Sequence, residues 1–546
     1  MESQQRSRIG AILFFLGLIF LLVSWYYTYP IHMVNKVDEL IFTQFFPLIW
    51  PGIFFSLIGL FLTGYYSTRK SIKAICASLF PIILYSYVFF YSYIPSSDSG
   101  YVKSMFEVFH LVGIDSSIVS YFQYPTYFTL NEITSQISGV YANGIATIFF
   151  ALYGILLGLY LYIFLLKSTK NNTSQIALLA GFLYFTVSFS FINYQWVPQT
   201  LAFVFFFLLL ITFNYKGLEY KIISLILFAA LIFTHAFFPV IFLLFFGFYI
   251  MKNREHFKMF LLMNCLYLAI LIYYSSHFFP QIIDAFRETI YGFREYSSAI
   301  SKSFKETTGV VDQFISLINR IRIPLTLALV IVGFVLDLIK KKISYILIAL
   351  TIAGGFYFTL GIMYSVLGFR ALQFVVASFV VGIGFFIVKW KKATVVFVLI
   401  IVMLSVFGPI RANYDLYQYH SSEETKTCDF LAQTLPINQS KIIFVSDEVN
   451  YGYFKNIESY INKTTKGYIT AQNIVFILTT HEQIYSFLTN FNETVGNLWI
   501  LYNPNLEKEL FSYGITPNEL QRINENNLLT NKVYQCDKTY IITEQK

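Results

Sequence analysis

Charge is what this sequence has least of. Asp, Glu, Lys and Arg together make up 12% of its 546 residues, about half the share carried by a soluble globular protein. So little charge cannot hydrate the surface of a chain this long, which excludes an ordinary soluble enzyme. Cysteine is scarce as well, with 4 residues, and histidine has 7. There is no paired CxxC, no HExxH, no Walker loop and no dinucleotide fingerprint, so structural zinc and ATP hydrolysis find no support. No internal repeat is visible, which counts against the transporter architectures built from one.

What replaces charge is apolar surface. Hydrophobic residues make up 56% of the chain and aromatic residues 20%, and the mean hydropathy is +0.61. Most of this chain has lipid or other helices as its solvent. The formal charge of +8 is not a nucleic-acid footprint, because most Lys and Arg sit in short clusters between apolar runs, as the positive-inside rule requires of cytoplasmic loops.

A transmembrane helix needs roughly 20 apolar residues. Runs near that length lie at 9–27, 43–64, 73–93, 140–165, 175–192, 196–214, 257–278, 323–339, 343–366, 369–388 and 393–409. The stretch 221–251 is too long for one span and contains Thr234-His235-Ala236-Phe237-Phe238-Pro239. Read as two short helices meeting at that break, it brings the total to about thirteen spans. The charges support the odd number. With the N-terminus inside, Arg6/Arg8, Arg69/Lys70/Lys73, Lys167/Lys170, Lys216/Lys221, Lys252/Arg254/Lys258, Lys340–Lys342 and Lys389/Lys391/Lys392 all fall in inner loops. Merging 221–251 into one helix would invert every later loop. The first run ends in Trp25-Tyr26-Tyr27 with no small-x-small cleavage site, so it reads as an uncleaved span with an aromatic belt.

Two outer loops are long, 94–139 and 279–322. The first reads as two amphipathic helices, 101–112 and 116–136, of the kind that lie in the interface plane. The second has mixed charge, including Arg320 and Arg322. From about Arg411 the composition becomes that of a soluble α/β unit. Strand-like runs lie at 441–446, 473–478, 498–502 and 539–543, separated by helix-like segments near 428–435, 481–490 and 517–524, which points to a small mixed sheet. Three sequons fall there, at Asn438, Asn462 and Asn492. Cys428 and Cys536 bracket the unit, and an oxidising compartment would permit a disulfide between them. Such a bridge contributes roughly 4–5 kcal/mol in the chain-entropy model. Cys76 and Cys265 lie in apolar spans.

Three polar residues stand out near the outer ends of spans. Asp98 precedes a helical run and suits either an N-cap or a general base at the water interface. His235 sits in the break within 221–251, where it is either a hydrogen-bonded packing residue or part of a lined cavity. Arg370 opens the twelfth span and either snorkels to headgroups or holds a phosphate as a fixed cation. Tyr124-Pro125 before the fourth span and Gln195-Trp196-Val197-Pro198-Gln199 opening the sixth are weaker signals.

The arrangement resembles the type-C membrane glycosyltransferases, which transfer sugars from polyprenyl-phosphate carriers. Their plan is a helix, a long outer loop opening on an acid, two interfacial helices, many spans and often an outer C-terminal domain. Here the helix is 73–93 and the acid is Asp98. Tyr124-Pro125 followed by Ser138-Gly139 looks like the YP…TG pattern of that loop. Thr234-His235 looks like a Thr-His-Pro element with Ala236 in place of proline, and Pro198-Gln199 matches a recurring Pro-Gln. The resemblance covers about 73–410. It departs in the added spans 9–27 and 43–64, in the single acid where many members have a pair, and in the absence of WWDYG.

The resemblance implies three units: a two-helix addition at 1–72, a transmembrane domain at 73–410 and an extracytoplasmic domain at 411–546. It implies single-sugar transfer, inverting, from a polyprenyl-phosphate sugar to a glycan, lipid or protein acceptor. Asp98 would be the base, Arg370 and His235 would hold the donor phosphate, and Tyr101, Tyr124 and Gln199 would line the cavity. A divalent cation such as Mg or Mn could assist at Asp98, although one carboxylate makes a poor site, and no metal ligand set is assigned. The expected location is the plasma membrane, with membrane lipids around the chain and its C-terminus outside. The competing class is a non-catalytic scaffold, flippase or transporter with an outer docking domain, and spatial convergence of Asp98, His235 and Arg370 separates the two.

Overall fold

The computed structural model describes residues 2–29, 45–90, 102, 105–106, 109–110, 113–114, 120–140, 142–169, 173–187, 197–213, 215, 217–235, 237–273, 310–363, 367–407 and five strands between 442 and 544. The helices are α1 (Glu2–Thr28), α2 (Ile49–Tyr66), α3 (Lys70–Leu84), α4 (Thr126–Ser138), α5 (Ala142–Ser168), α6 (Ser174–Val187), α7 (Pro198–Thr212) and α8 (Leu218–Ile232). They continue as α9 (Phe237–Ile250), α10 (Phe257–Tyr273), α11 (Val310–Ile339), α12 (Tyr345–Met363), α13 (Leu367–Phe379), α14 (Ile383–Lys389) and α15 (Lys391–Leu404).

Among the described residues, six helices are long and apolar enough to cross a membrane, at Glu2–Thr28, Ile49–Tyr66, Gly144–Ser168, Arg254–Tyr273, Gln313–Ile339 and Leu372–Lys389. Shorter apolar helices run between them. This is a multi-pass helical membrane protein. Its centre is formed by α6 and α7, which are buried almost all round. By contrast α10 buries only Met259 and Met263, and Leu261, Leu262, Leu268 and Ile272 are exposed. A helix that is apolar on every side yet exposed in the bare protein is one that faces lipid.

Small residues set the closest approach. A Cβ on Gly59 would lie 2.7 Å from both Gly10 O and Phe14 Cα, which is why α1 and α2 touch backbone to backbone. Glycine at such a crossing is the usual device for helix contact in lipid. The pair is tied to the rest of the bundle. Trp25 Nε1 donates to Phe89 O at 3.0 Å, and the Trp50 ring lies 5.2 Å from that of Phe407.

The stretch 221–251 divides into α8 and α9 around Phe233–His235. Elsewhere the boundaries move. The expected span 73–93 is α3, carrying Pro81, followed by a 3-10 turn at Ser86–Phe90. The largest change is α11. It begins at Val310 instead of 323 and runs through Pro324, so the end of the expected loop 279–322 is helix. The sequence pattern hid this because Arg320, Arg322 and Pro324 interrupt the apolar run.

The strands β1 (Ile442–Val445), β2 (Ile474–Ile477), β3 (Asn497–Tyr502), β4 (Asn531–Cys536) and β5 (Thr539–Glu544) form one sheet in the order β2-β1-β3-β5-β4. Strand β1 runs parallel to β2 and β3, and β5 runs antiparallel to β3 and β4. The unbroken apolar runs of β1 and β2 suit parallel strands covered on both faces. Four strands fall where the sequence places them. The fifth, β4, was not expected, because Asn531-Lys-Val-Tyr-Gln-Cys is half polar, as befits an edge strand. The helix-like segments between strands, Cys428, Asn438, Asn462 and Asn492 lie outside the described residues. Among the described residues Cys76 and Cys265 are free thiols, and the pairing of Cys428 with Cys536 stays an expectation.

Candidate functional site

The break between α8 and α9 is held by its own side chains. Buried Thr234 donates from Oγ1 to Ala230 O at 2.6 Å, and the His235 backbone N–H donates to Leu231 O at 3.2 Å. The His235 ring then reaches forward, and Nδ1 accepts the N–H of Phe237 at 3.2 Å. That bond satisfies one of the donors left over at the start of α9. It also fixes the tautomer. With Nδ1 accepting, the neutral imidazole carries its proton on Nε2.

The long loop comes back to this break. The backbone N–H of Thr126 donates to Phe233 O at 3.1 Å, which sets the half-buried Tyr124-Pro125 pair beside Thr234-His235. Two elements more than a hundred positions apart in the chain therefore meet at one point.

Beneath them lies an aromatic cluster. The Phe238 ring sits 5.3 Å from His235, 4.7 Å from Phe203 and 5.5 Å from Phe374, and Phe203 stacks on Phe374 at 5.2 Å. Gln199 is one turn before Phe203 on α7, and position 370 is one turn before Phe374 on α13. Gln199 is 6% exposed, and its Nε2 has no hydrogen-bond partner among the described residues. An orphaned buried amide donor calls for an acceptor. It lies in the first turn of α7, where backbone N–H groups and the helix dipole already favour an anion. Of the positions singled out in the sequence, His235 packs on this cluster, Tyr124 is tied to the same break through the Thr126 bond, and Gln199 and the backbone of Arg370 each stand one turn before one of its rings. The Arg370 side chain, Asp98 and Tyr101 lie outside the described residues.

The loop is amphipathic as expected, but the helix expected at 116–136 is a 3-10 turn at Ser120–Gln123 followed by α4 from Thr126, because Pro125 starts a new helix there. Val102, Met105, Phe106 and Phe109 are buried at helical spacing, and the Phe109 ring packs 5.2 Å from Phe122 and 5.7 Å from Phe128. On the far side of α4, Leu130, Ile133 and Ile137 are exposed, Ile137 to 82%. An apolar stripe left bare on a short helix beside a membrane bundle suits the lipid interface.

Two polar contacts escaped the sequence reading. His110 Nδ1 lies 2.8 Å from Glu132 Oε1, which also accepts from Gln136 Nε2 at 2.8 Å. Glu132 is the one acid in 116–136, the signal that marks it. The second is Arg322, read as a loop charge and found 5% exposed on α11. Its Nη1 donates to Thr186 O at 2.6 Å and its Nη2 to Asn319 Oδ1 at 3.0 Å. Beside it, the Tyr85 hydroxyl donates to Phe185 O at 2.7 Å. Two carbonyls of the last turn of α6 are thereby capped by side chains from other segments, and a cation at a helix C-terminus is favourable.

Arg322 is in no ion pair among the described residues. Its desolvation, several kcal/mol, offsets hydrogen bonds worth about 1.5–3 kcal/mol each to a charged group. Arg322→Met, which keeps the volume, is therefore expected to change stability by no more than about 1–2 kcal/mol. Arg322→Ala adds a cavity and is expected to cost about 2–3 kcal/mol more than the Met variant. Thermal unfolding of the two purified variants checks the difference.

Among the described residues no group of three or more His, Cys, Asp or Glu could hold a metal ion. Comparison with known protein families and with curated proteins gives no match.

Proposed function

We propose that this chain is a membrane glycosyltransferase that moves a single sugar from a polyprenyl-phosphate donor to an acceptor hydroxyl at the outer face. The observation that carries this reading is the hydrogen bond from Thr126 N–H to Phe233 O. It joins the Tyr124-Pro125 loop to the Thr234-His235 break, the two elements whose resemblance to type-C glycosyltransferases was argued independently of each other. The orphaned Gln199 amide adds a donor suited to a phosphate.

In this reading the chain has about thirteen spans, the N-terminus inside, and the sheet of 411–546 outside as part of an α/β domain. The donor's anomeric carbon lies at the His235 end of the bundle. Asp98 takes the proton of the acceptor hydroxyl, and its oxygen forms the new bond to the anomeric carbon with inversion. The bond from that carbon to phosphate oxygen breaks, and the phosphate leaves with the electron pair. The charge gathering on the phosphate is met by Arg370 and by His235 Nε2–H, the placement that matters most for such a step. No metal is needed for this balance.

The second reading is a non-catalytic scaffold, flippase or transporter with an outer docking domain. It draws on the His235 ring, whose bond to Phe237 N–H is by itself a sufficient structural role. Turnover decides between them. Purified protein given labelled polyprenyl-phosphate sugars of several kinds, with lipid, glycan and peptide acceptors, is expected to release free polyprenyl phosphate with one of them. No turnover across the panel would favour the scaffold.

A further inference from the structure

A second site lies away from the His235 end, among the lysines. A cavity of about 130 Å³ is lined by Ser168 and Thr169 at the end of α5, by Asp337, Lys340 and Lys342 at the end of α11, and by Lys389 at the end of α14. Ile176 and Leu347, from the first turns of α6 and α12, complete one wall, and Phe385 and Val388 form another. A backbone bridge between Thr169 and Ile343 holds the two sides together.

Three features of this cavity ask for an anion. First, Lys340 Nζ and Lys389 Nζ lie over the same Phe385 ring, at 4.6 and 5.1 Å from its centre. Two ammonium groups brought to one ring repel each other, and neither is in an ion pair among the described residues. Second, Asp337 is the one carboxylate among the described lining residues, set against three lysines. Third, Ser168 is 1% exposed, lines the cavity, and its Oγ has no hydrogen-bond partner among the described residues. A buried hydroxyl pays for that vacancy unless an acceptor fills it.

We infer that this cavity binds the phosphate of an anionic phospholipid, with the headgroup among Lys340, Lys389 and Ser168. The lipid source follows from the rest of the lining. Val388, 68% exposed, gives the cavity an apolar margin on which acyl chains can lie, and Trp390 beside Lys389 is 57% exposed at the depth where tryptophan marks the interface. The lysines belong to the end that the positive-inside rule assigns to the cytoplasm, and basic pockets between helices on that side take anionic headgroups.

The full-length protein in detergent is titrated with phosphatidylglycerol, with phosphatidylcholine and with inorganic phosphate, reading bound lipid by native mass spectrometry and Tm in parallel. Phosphatidylglycerol is expected to bind and raise Tm, and the other two are not. Lys340→Gln with Lys389→Gln should weaken lipid binding roughly twenty-five-fold, at about fivefold per lysine. Ser168→Ala, which leaves the charges in place, should weaken it by a smaller factor. Lys221→Gln, in a different cavity, should bind as wild type. If the double variant does not fold, Lys340→Arg with Lys389→Arg and Ser168→Ala carry the test, the first retaining binding and the second losing part of it. Equal binding by wild type and Ser168→Ala together with equal binding by the double glutamine variant would overturn the site. Equal stabilisation by phosphatidylcholine would overturn its anion selectivity, and stabilisation by inorganic phosphate alone would overturn the lipid assignment.

Discussion

Asp98→Asn is expected to lower sugar transfer by about 10²- to 10⁴-fold, the range that a placed carboxylate contributes by proton abstraction. The amide keeps the size and polarity of the acid, so helix capping survives while basicity is lost. The two roles open to Asp98 in the sequence therefore part company in one variant. If Asp98 is only a cap, asparagine, itself a favoured cap, should leave both turnover and Tm unchanged. If it is the base, Tm should hold and turnover should collapse. Transfer of labelled sugar and thermal unfolding, measured on the same preparation, check this.

Arg370→Ala is expected to reduce turnover by about 10²- to 10³-fold, the usual cost of removing one group that stabilises charge in the transition state. Position 370 stands one turn before Phe374, whose ring is shared with Phe203 and Phe238 under His235. Arg370→Lys keeps the charge but loses the planar fork that matches a phosphate, so it should fall between the two. A residue that merely snorkels to headgroups would tolerate lysine fully, since a compact ammonium snorkels as well as a guanidinium. Initial rates for the three proteins at saturating donor separate these outcomes. His235→Gln should show a smaller loss than Arg370→Ala, because glutamine can still donate.

The parts of the fold that could be read from the sequence are those governed by local pattern. The break in 221–251 was visible because a polar Thr234-His235 pair cannot continue an apolar helix in lipid, and the charge alternation of the loops demanded it. Strands β1, β2, β3 and β5 were visible as short apolar runs. The apolar face of the first loop segment was visible in the spacing of Val102, Met105, Phe106 and Phe109, whereas the second helix begins at Thr126 and not at 116.

What stayed hidden depends on partners distant in the chain. Arg322 reads as a loop charge until Thr186 and Asn319 surround it. Strand β4 has no apolar signature, since Asn531, Lys532 and Gln535 interrupt its run. His110 and Glu132 are 22 positions apart and nothing local announces their pairing. The candidate site divides in the same way. His235, Tyr124 and Gln199 each stand out for local reasons, whereas the packing of His235 on Phe238 and the bond from Thr126 to Phe233 are products of tertiary structure.

The central claim is that the phosphate of a lipid carrier sits at the His235 end of the bundle. Its most direct test is photocrosslinking of a benzophenone-bearing polyprenyl phosphate to the purified protein, with the labelled peptides mapped by mass spectrometry. Labelling confined to segments around 124–126, 199–203, 233–238 and 370–374, and competed by unlabelled polyprenyl phosphate, is the predicted result. Labelling that is absent there, or that falls only around Lys340 and Lys389, would contradict the account.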